Sequence, residues 1–334
     1  MVSIKERFNN YKRQFLTAKK RKEAHKLQKY NILNTPFETK DPIIISGQPR
    51  GGTTWLSETI MTHPATGIIW EPLHPKLMAK FDRTRELGIE LGNFPFIPED
   101  AKNEDLEKWL SNVLSAKFLP YEYISWPPGA NNNLLDKKQW IVKFCRANRM
   151  LPWMVEHLDI RPPIFLLRHP CAVVSSQLRH EAFNYMGSTY EKDNGLHDQL
   201  YKKYEHILKS VNSKIGKLAA WWAMDNVLPL TNDYNNKKWV TVTYEELVAR
   251  PNEGFSRIYD GINMEMPENL IEGLHKPSST TKPGAMVLQG GNQLEGWSKK
   301  LKPAEVDEIL EIVHAFGIEI YTKELEPDYT KLYF

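Results

Sequence analysis

The sequence predicts an α/β protein with a three-layer αβα architecture, a central and mainly parallel sheet, and a P-loop nucleotide-binding-like organisation. Three observations lead there. Five short runs rich in β-branched and aromatic residues, 42–46, 66–70, 140–144, 164–168 and 239–243, are separated by stretches of helical character. Four of the five are near-continuous apolar runs, as strands covered on both faces require. The first run is followed by a glycine-rich turn, GQPRGGTT, that opens directly into a helical pattern.

At 334 residues the chain can bury a core without staples, and it reads as a basic arm over 1–35 followed by one domain over 36–334. Residues 1–30 hold ten Lys/Arg against two Glu, a local charge of +8 in a chain whose net charge is +3. Ile4, Phe8, Tyr11 and Phe15 recur there at helical spacing, so the arm reads as a basic amphipathic helix. Three uses are open to it: contact with an anionic membrane surface, docking onto the main domain or a partner, or a plain solvated helix.

Crossover helices are expected over 54–62, 106–116, 149–158, 172–179 and 214–226, with a C-terminal helix over 303–316 that carries proline in its first turn. Two polar stretches, 118–139 and 181–213, break the rhythm and read as lids or insertions rather than core, which places acceptor-binding insertions near 72–139 and 181–213. Tyr121, Tyr123, Trp126 and Tyr185 within them hint at an aromatic-lined acceptor pocket. No stretch approaches the roughly twenty apolar residues of a membrane span, and the first fifteen residues hold no signal-like apolar run. Cys145 and Cys171 sit in or beside apolar runs and read as buried thiols in a reducing, cytoplasmic setting.

The segment DPIIISGQPRGGTTWLSETI runs strand, tight turn, helix, an order that aims backbone N–H groups and a helix N-terminus at an anion. Gly47, Gly51 and Gly52 permit close backbone approach, and Thr53 and Thr54 add hydroxyls at the helix start. A nucleotide triphosphatase loop would carry lysine where Thr53 stands, so the phosphate clamp of that class is missing and the cation of this loop is Arg50. Further along, IFLLRHPCAVVSSQL ends a buried strand at Arg168, turns at His169 and Pro170, and enters a helix bearing Ser175 and Ser176. Arginine can grip a phosphate through two parallel bonds and serine can donate a third, a set suited to a terminal phosphate monoester.

PRGGTTW resembles the 5'-phosphosulfate loop of sulfotransferases that use 3'-phosphoadenosine 5'-phosphosulfate (PAPS). That resemblance implies that Arg50 bridges the 5'-phosphate and the departing oxygen, that Gly51, Gly52, Thr53 and Thr54 hold the 5'-phosphate, and that Trp55 lies beside the adenine. Arg168 and Ser176 keep the spacing of the same family's 3'-phosphate motif. Weaker echoes are VTYEELVARP, which places Tyr244 near the adenine, LAAWWAMDN, and GNQLEGWSKKL with the helix after it. One segment departs: where the cytosolic branch closes on the 3'-phosphate with Arg-Lys-Gly, residues 276–291 offer only Lys276 and Lys282.

Sulfonate transfer needs in-line attack, a group that takes the acceptor's proton, and positive charge on the leaving phosphate oxygen. Arg50 fills the last role, joined by Lys143. The cytosolic branch has a histidine two residues past that lysine, but here Cys145 stands there. Glu71, at the end of the second strand, resembles the glutamate base of the protein-tyrosine and some carbohydrate branches; pairing with Arg50 or Arg168 is its alternative role, and His74, His169 and His180 are further candidates for the base. A histidine at a turn such as His169 more often caps than reacts. No metal is expected, since no HxxxH, HxH or CxxC spacing exists.

The expectation is therefore transfer of a sulfonate from PAPS to an acceptor hydroxyl or amine, releasing 3',5'-ADP. A small-molecule kinase on the same loop is one alternative, and a non-catalytic nucleotide-sensing or membrane-associated binding protein is another. Expected partners are a small-molecule or carbohydrate acceptor and, through residues 1–30, an anionic membrane surface, with no nucleic acid.

Overall fold

The structure is a computed structural model that describes residues 4–61, 65–80, 94–127, 131, 134–183, 198–274, 277–281 and 292–333. The chain opens with α1 (Ile4–Asn34), β1 (Ile43–Gly47) and α2 (Thr53–Ile60), and β2 (Thr66–Trp70) precedes α3 (Pro75–Lys80), α4 (Glu104–Leu114) and α5 (Tyr121–Ile124). Then come β3 (Gln139–Phe144), α6 (Leu151–His157), β4 (Ile164–Leu167), α7 (Pro170–Leu178), α8 (Asp198–Ser210) and α9 (Lys214–Thr231). β5 (Val240–Thr243) leads into α10 (Tyr244–Ala249), α11 (Pro251–Gly261), α12 (Pro303–Ala315) and α13 (Tyr329–Leu332).

The strands form one five-stranded sheet in the order β2-β3-β1-β4-β5, and every pairing is parallel. Each strand lies within a residue or two of its sequence-derived position. The apolar runs are continuous because successive side chains feed opposite cores. Ile43 and Ile45 join Leu56, Ile60, Phe255 and Ile258 on one face, whereas Ile44, Ile69 and Val142 pack with Leu110, Val113 and Trp153 on the other. A third cluster fastens α7, α9 and α12 over β4 through Phe165, Leu167, Trp222, Ile309 and Val313.

Both stretches read as insertions contain core. Within 181–213, Leu200, Tyr204, Ile207 and Leu208 of α8 are buried, an i, i+4, i+7, i+8 stripe that intervening Lys, Glu and His residues hide in the sequence. Within 118–139, Tyr123, Ile124 and Leu134 are buried, and the Asn131 side chain accepts from Ile68 N at 2.9 Å and donates to Ile68 O at 2.8 Å. An asparagine thus satisfies the free edge of β2, in place of a further strand.

Of the uses open to the arm, docking onto the main domain holds for the second half of α1. Ala24, Leu27 and Asn31 are buried at i, i+3 and i+7, Asn31 Nδ2 donates to Ala116 O at 3.0 Å, and Gln28 Oε1 accepts from Leu119 N at 3.0 Å. The side chains of Ile4, Phe8, Tyr11 and Phe15 lie outside the described residues. Among the described residues no helix is long and apolar enough to cross a membrane.

β1 lies between β3 and β4, so the connections leave it toward opposite halves of the sheet and open a crevice beyond its carboxyl end, where parallel sheets hold their ligands.

Candidate active site

A cavity of about 720 Å³ occupies that crevice, and residues following all five strands line it. After β1 the chain closes a tight turn with Gly51 N donating to Gln48 O at 2.8 Å, Arg50 takes φ 76°, and Gly52 takes φ 103° before α2 starts at Thr53. Gly52 is needed twice over. Its φ lies in the left-handed region, and a Cβ there would stand 2.7 Å from Tyr244 Cδ2. Gly52→Ala should therefore cost about 1–3 kcal/mol in urea unfolding, since alanine would meet both the left-handed backbone and the clash with Tyr244.

After β4, Arg168 precedes a turn that His169 caps: its Nδ1 accepts from Cys171 N at 3.1 Å and its Nε2 meets Thr322 O at 3.0 Å, so Nε2 carries the proton. Burial pulls this imidazole down to about 4, and its ring stacks on Trp297 at 4.6 Å. His169 is a cap, as its position at a strand-to-helix turn suggests. Glu245 holds the turn from behind, accepting from His169 N at 3.0 Å and from Tyr321 Oη at 3.1 Å.

The glycine-rich loop and the segment from Arg168 to Gln177 meet. Arg50 Nε donates to Ser176 Oγ at 3.0 Å, Arg168 Nη1 donates to Arg50 O at 3.3 Å, and Gln177 Nε2 donates to Pro49 O at 3.1 Å. The Arg168 guanidinium lies 4.1 Å over the Tyr244 ring, whose hydroxyl donates to Gln293 Oε1 at 2.7 Å. Trp55 meets Tyr244 edge-on at 5.2 Å and donates to Leu274 O at 3.2 Å. Thr53 Oγ1 sits 3.3 Å from Cys145 Sγ, and Thr53 and Thr54 both line the cavity.

Glu71 has neither of the partners considered from sequence. The register pairs Trp70 with Lys143, which brings Lys143 Nζ to 2.7 Å from Glu71 Oε1, and Arg146 Nη1 reaches Glu71 Oε2 at 3.1 Å. Glu71 itself takes φ 45°, a left-handed backbone at the strand end. Burial alone would push its carboxyl up, but Lys143 and Arg146 outweigh that and hold it at about 2. Lys143 is 1 % exposed, with Cys145 Sγ at 3.1 Å and the Trp70 ring at 3.9 Å. Burial works against its ammonium, yet Cys145 and Glu71 keep its pKa above the usual lysine value. His74 also lines the cavity, with its pKa lowered by burial and then by Arg146.

Arg146, Arg179 and Lys300 were not singled out from sequence. Arg146 follows β3 by two residues, at the edge where ligands gather, and Arg179 follows Ser175 by one helical turn, so spacing could have flagged both. Lys300 carries no such signal. Of the aromatic residues expected to line an acceptor pocket, Tyr123 is buried with its hydroxyl on Pro72 O, Tyr121 faces Arg21 of α1, and Trp126 meets the cavity-lining Trp70 edge-on at 6.2 Å. Tyr185, Lys276 and Lys282 lie outside the described residues.

Charge is one-sided. Arg50, Lys143, Arg146, Arg168, Arg179 and Lys300 line the cavity, and among the described lining residues Glu71 is the one carboxylate. It already serves Lys143 and Arg146. Burial and then the charge of Arg168 lower the Arg50 pKa, the mark of two guanidiniums lying close together. Such a site defines a class: an α/β protein with a glycine-rich loop at the switch point of a parallel sheet and a cation-lined cavity beside an edge-on pair of aromatic rings.

Comparison with known proteins narrows the class. Residues 42–268, more than half of the chain, match the family model described as Sulfotransferase family. The chain belongs to that family. No curated protein matches it. Among solved structures, the sulfotransferase domain of the olefin synthase of Synechococcus PCC 7002 is 19% identical, over 84% of this chain and 97% of that one, with a TM-score of 0.44. The sulfotransferase domain from the curacin biosynthetic pathway is 17% identical over 83% and 98%, with a TM-score of 0.42. A mouse sulfotransferase complexed with PAP is 12% identical over 83% and 84%, with a TM-score of 0.38. Membership rests on the family model.

Proposed function

We propose that this sulfotransferase moves a sulfonate group from PAPS to a hydroxyl, or an amine, of a small-molecule or carbohydrate acceptor and releases 3',5'-ADP. The observation that carries the reading is the meeting of two anion cradles, far apart in sequence, at the 3.0 Å contact of Arg50 Nε with Ser176 Oγ. A nucleotide bearing phosphate on both its 5' and 3' positions satisfies both, whereas ATP would leave the second cradle empty.

In this reading the N-terminal turn of α2, with Gly51, Gly52, Thr53 and Thr54, holds the 5'-phosphate, and Trp55 and Tyr244 bracket the adenine. Arg168 and Ser176 take the 3'-phosphate. Arg50 and Lys143 stabilise the charge that grows on the bridging oxygen as the S–O bond breaks. Glu71 takes the acceptor's proton. In the free protein its carboxylate is neutralised by Lys143, and a bound donor offers that ammonium a competing anion. As Lys143 turns toward the phosphosulfate, Glu71 loses its nearest cation and becomes a stronger base.

We read the setting as cytoplasmic, which suits two buried free thiols. The exposed Lys19, Lys22, Lys26 and Lys29 of α1 support contact with an anionic membrane surface.

Incubating a metabolite extract of the source organism with PAPS and the protein should yield products heavier by one sulfonate by mass spectrometry, together with 3',5'-ADP. Calorimetry should show 3',5'-ADP binding at least about 10-fold tighter than ATP–Mg²⁺, with Arg168→Ala erasing most of that preference. Equal affinity for the two nucleotides would overturn the reading.

A further inference from the structure

We propose that Arg179 and Lys300 close the 3'-phosphate site of this chain, so that its discrimination for a 3'-phosphorylated nucleotide comes from α7 and from the turn after Trp297. The proposal rests on the donor reading above and assigns the closing contact that Arg-Lys-Gly makes in the cytosolic branch.

Geometry supports it from both sides. Arg179 follows Ser175 by one helical turn, and its Nη2 donates to Ser175 Oγ, while the next residue, Ser176, meets Arg50. Lys300 belongs to the turn begun by Trp297, with Lys300 N donating to Trp297 O at 2.9 Å, and Trp297 stacks on His169, the residue after Arg168. Arg168, Ser175, Ser176, Arg179, Trp297 and Lys300 line the same cavity.

Charge points the same way. None of Arg168, Arg179 and Lys300 makes an ion pair with a carboxylate among the described residues, although Lys299, the residue before Lys300, pairs with Glu295. Burial lowers the Lys300 pKa, and the nearby Arg179 and Arg168 lower it further. Three cations that repel one another, two hydroxyls and no carboxylate form a site for a dianion such as a phosphate monoester. Arg179 and Lys300 are both exposed, as rim groups that close over a ligand would be.

Calorimetry on the full chain with 3',5'-ADP and with 5'-AMP tests this. Each of Arg179→Ala and Lys300→Ala should weaken 3',5'-ADP by about 10-fold and leave 5'-AMP within about 2-fold, since the two ligands differ only in the 3'-phosphate. Lys300→Arg should recover most of the loss, and the salt dependence of 3',5'-ADP binding should be shallower in the alanine variants. Binding of 5'-AMP reports folding in the same experiment, and Lys300→Ala, at an exposed position, suffices if Arg179→Ala does not fold. Unchanged 3',5'-ADP affinity in Lys300→Ala overturns the proposal, as does a weakening shared equally by both nucleotides. Loss of acceptor affinity with 3',5'-ADP binding intact would assign these cations to an anionic acceptor instead. If the wild-type protein does not prefer 3',5'-ADP to 5'-AMP, the donor reading itself fails, a result distinct from failure of the variants.

Discussion

Arg50→Ala should lower the rate of sulfonate transfer by about 10²–10³-fold while the melting temperature stays within about 2 °C of wild type. The two halves of that expectation come from different parts of the residue. Arg50 sits at φ 76°, a conformation that disfavours every residue with a Cβ, so alanine inherits the backbone strain unchanged. Among the described residues its side chain makes one hydrogen bond, to Ser176 Oγ, and it is crowded by the Arg168 charge. Losing a hydrogen bond worth ~1 kcal/mol is offset by relief of that repulsion. Transfer has no such offset, because the guanidinium is the loop's cation. Arg50→Gly is the informative control: it should be equally inactive yet more stable than Arg50→Ala by about 1 kcal/mol, since glycine tolerates the positive φ. Single-turnover transfer to the acceptor found by mass spectrometry, beside thermal unfolding, measures both. Activity of Arg50→Ala within a few-fold of wild type would remove Arg50 from the chemistry.

The residues that could be placed from sequence are those whose position in the fold is written in local spacing. Ile43, Ile44 and Ile45 announce a strand buried on both faces, GQPRGGTT announces a turn into a helix, and Arg168 and Ser176 keep a fixed separation across one turn and two helical turns. What could not be placed depends on which strands become neighbours. Glu71 finds Lys143 and Arg146 because β2 pairs with β3 in one register, and that pairing is a property of the sheet. A sequence reader sees a carboxylate and several cations without knowing which will touch. Lys300 illustrates the same limit, since it reaches the cavity on a turn held by long-range packing, the stacking of Trp297 on His169 included. The core residues hidden in the polar stretches have a different cause. In α8 the apolar stripe is diluted by charged residues, and Asn131, which satisfies the backbone of β2, resembles any loop asparagine until the strand beside it is seen.

Glu71→Gln should lose transfer by about 10²–10⁴-fold and lose stability as well, and the pH dependence of each loss separates two roles of one carboxylate. The folded pKa of about 2 lies below the ordinary 4.5, so the ionised form is stabilised in the folded state. That contribution, ~3 kcal/mol for a group this buried, is fully present above pH 4.5 and disappears as pH falls through about 2. Unfolding of wild type and Glu71→Gln should therefore differ most at neutral pH and converge in acid. Breaking the pair also leaves Lys143, 1 % exposed, with one charged partner fewer, which works in the same direction. Catalysis gives a different signature. A base already ionised at pH 5 produces no acid limb in kcat/KM between about pH 5 and 8, so the wild-type profile should be flat there. His74 is the competing base, and it would write a limb below its ordinary 6.5, because burial lowers its pKa. A limb in that range that vanishes in His74→Gln, with Glu71→Gln still turning over, would make Glu71 the group that positions Lys143 and His74 the one that takes the proton.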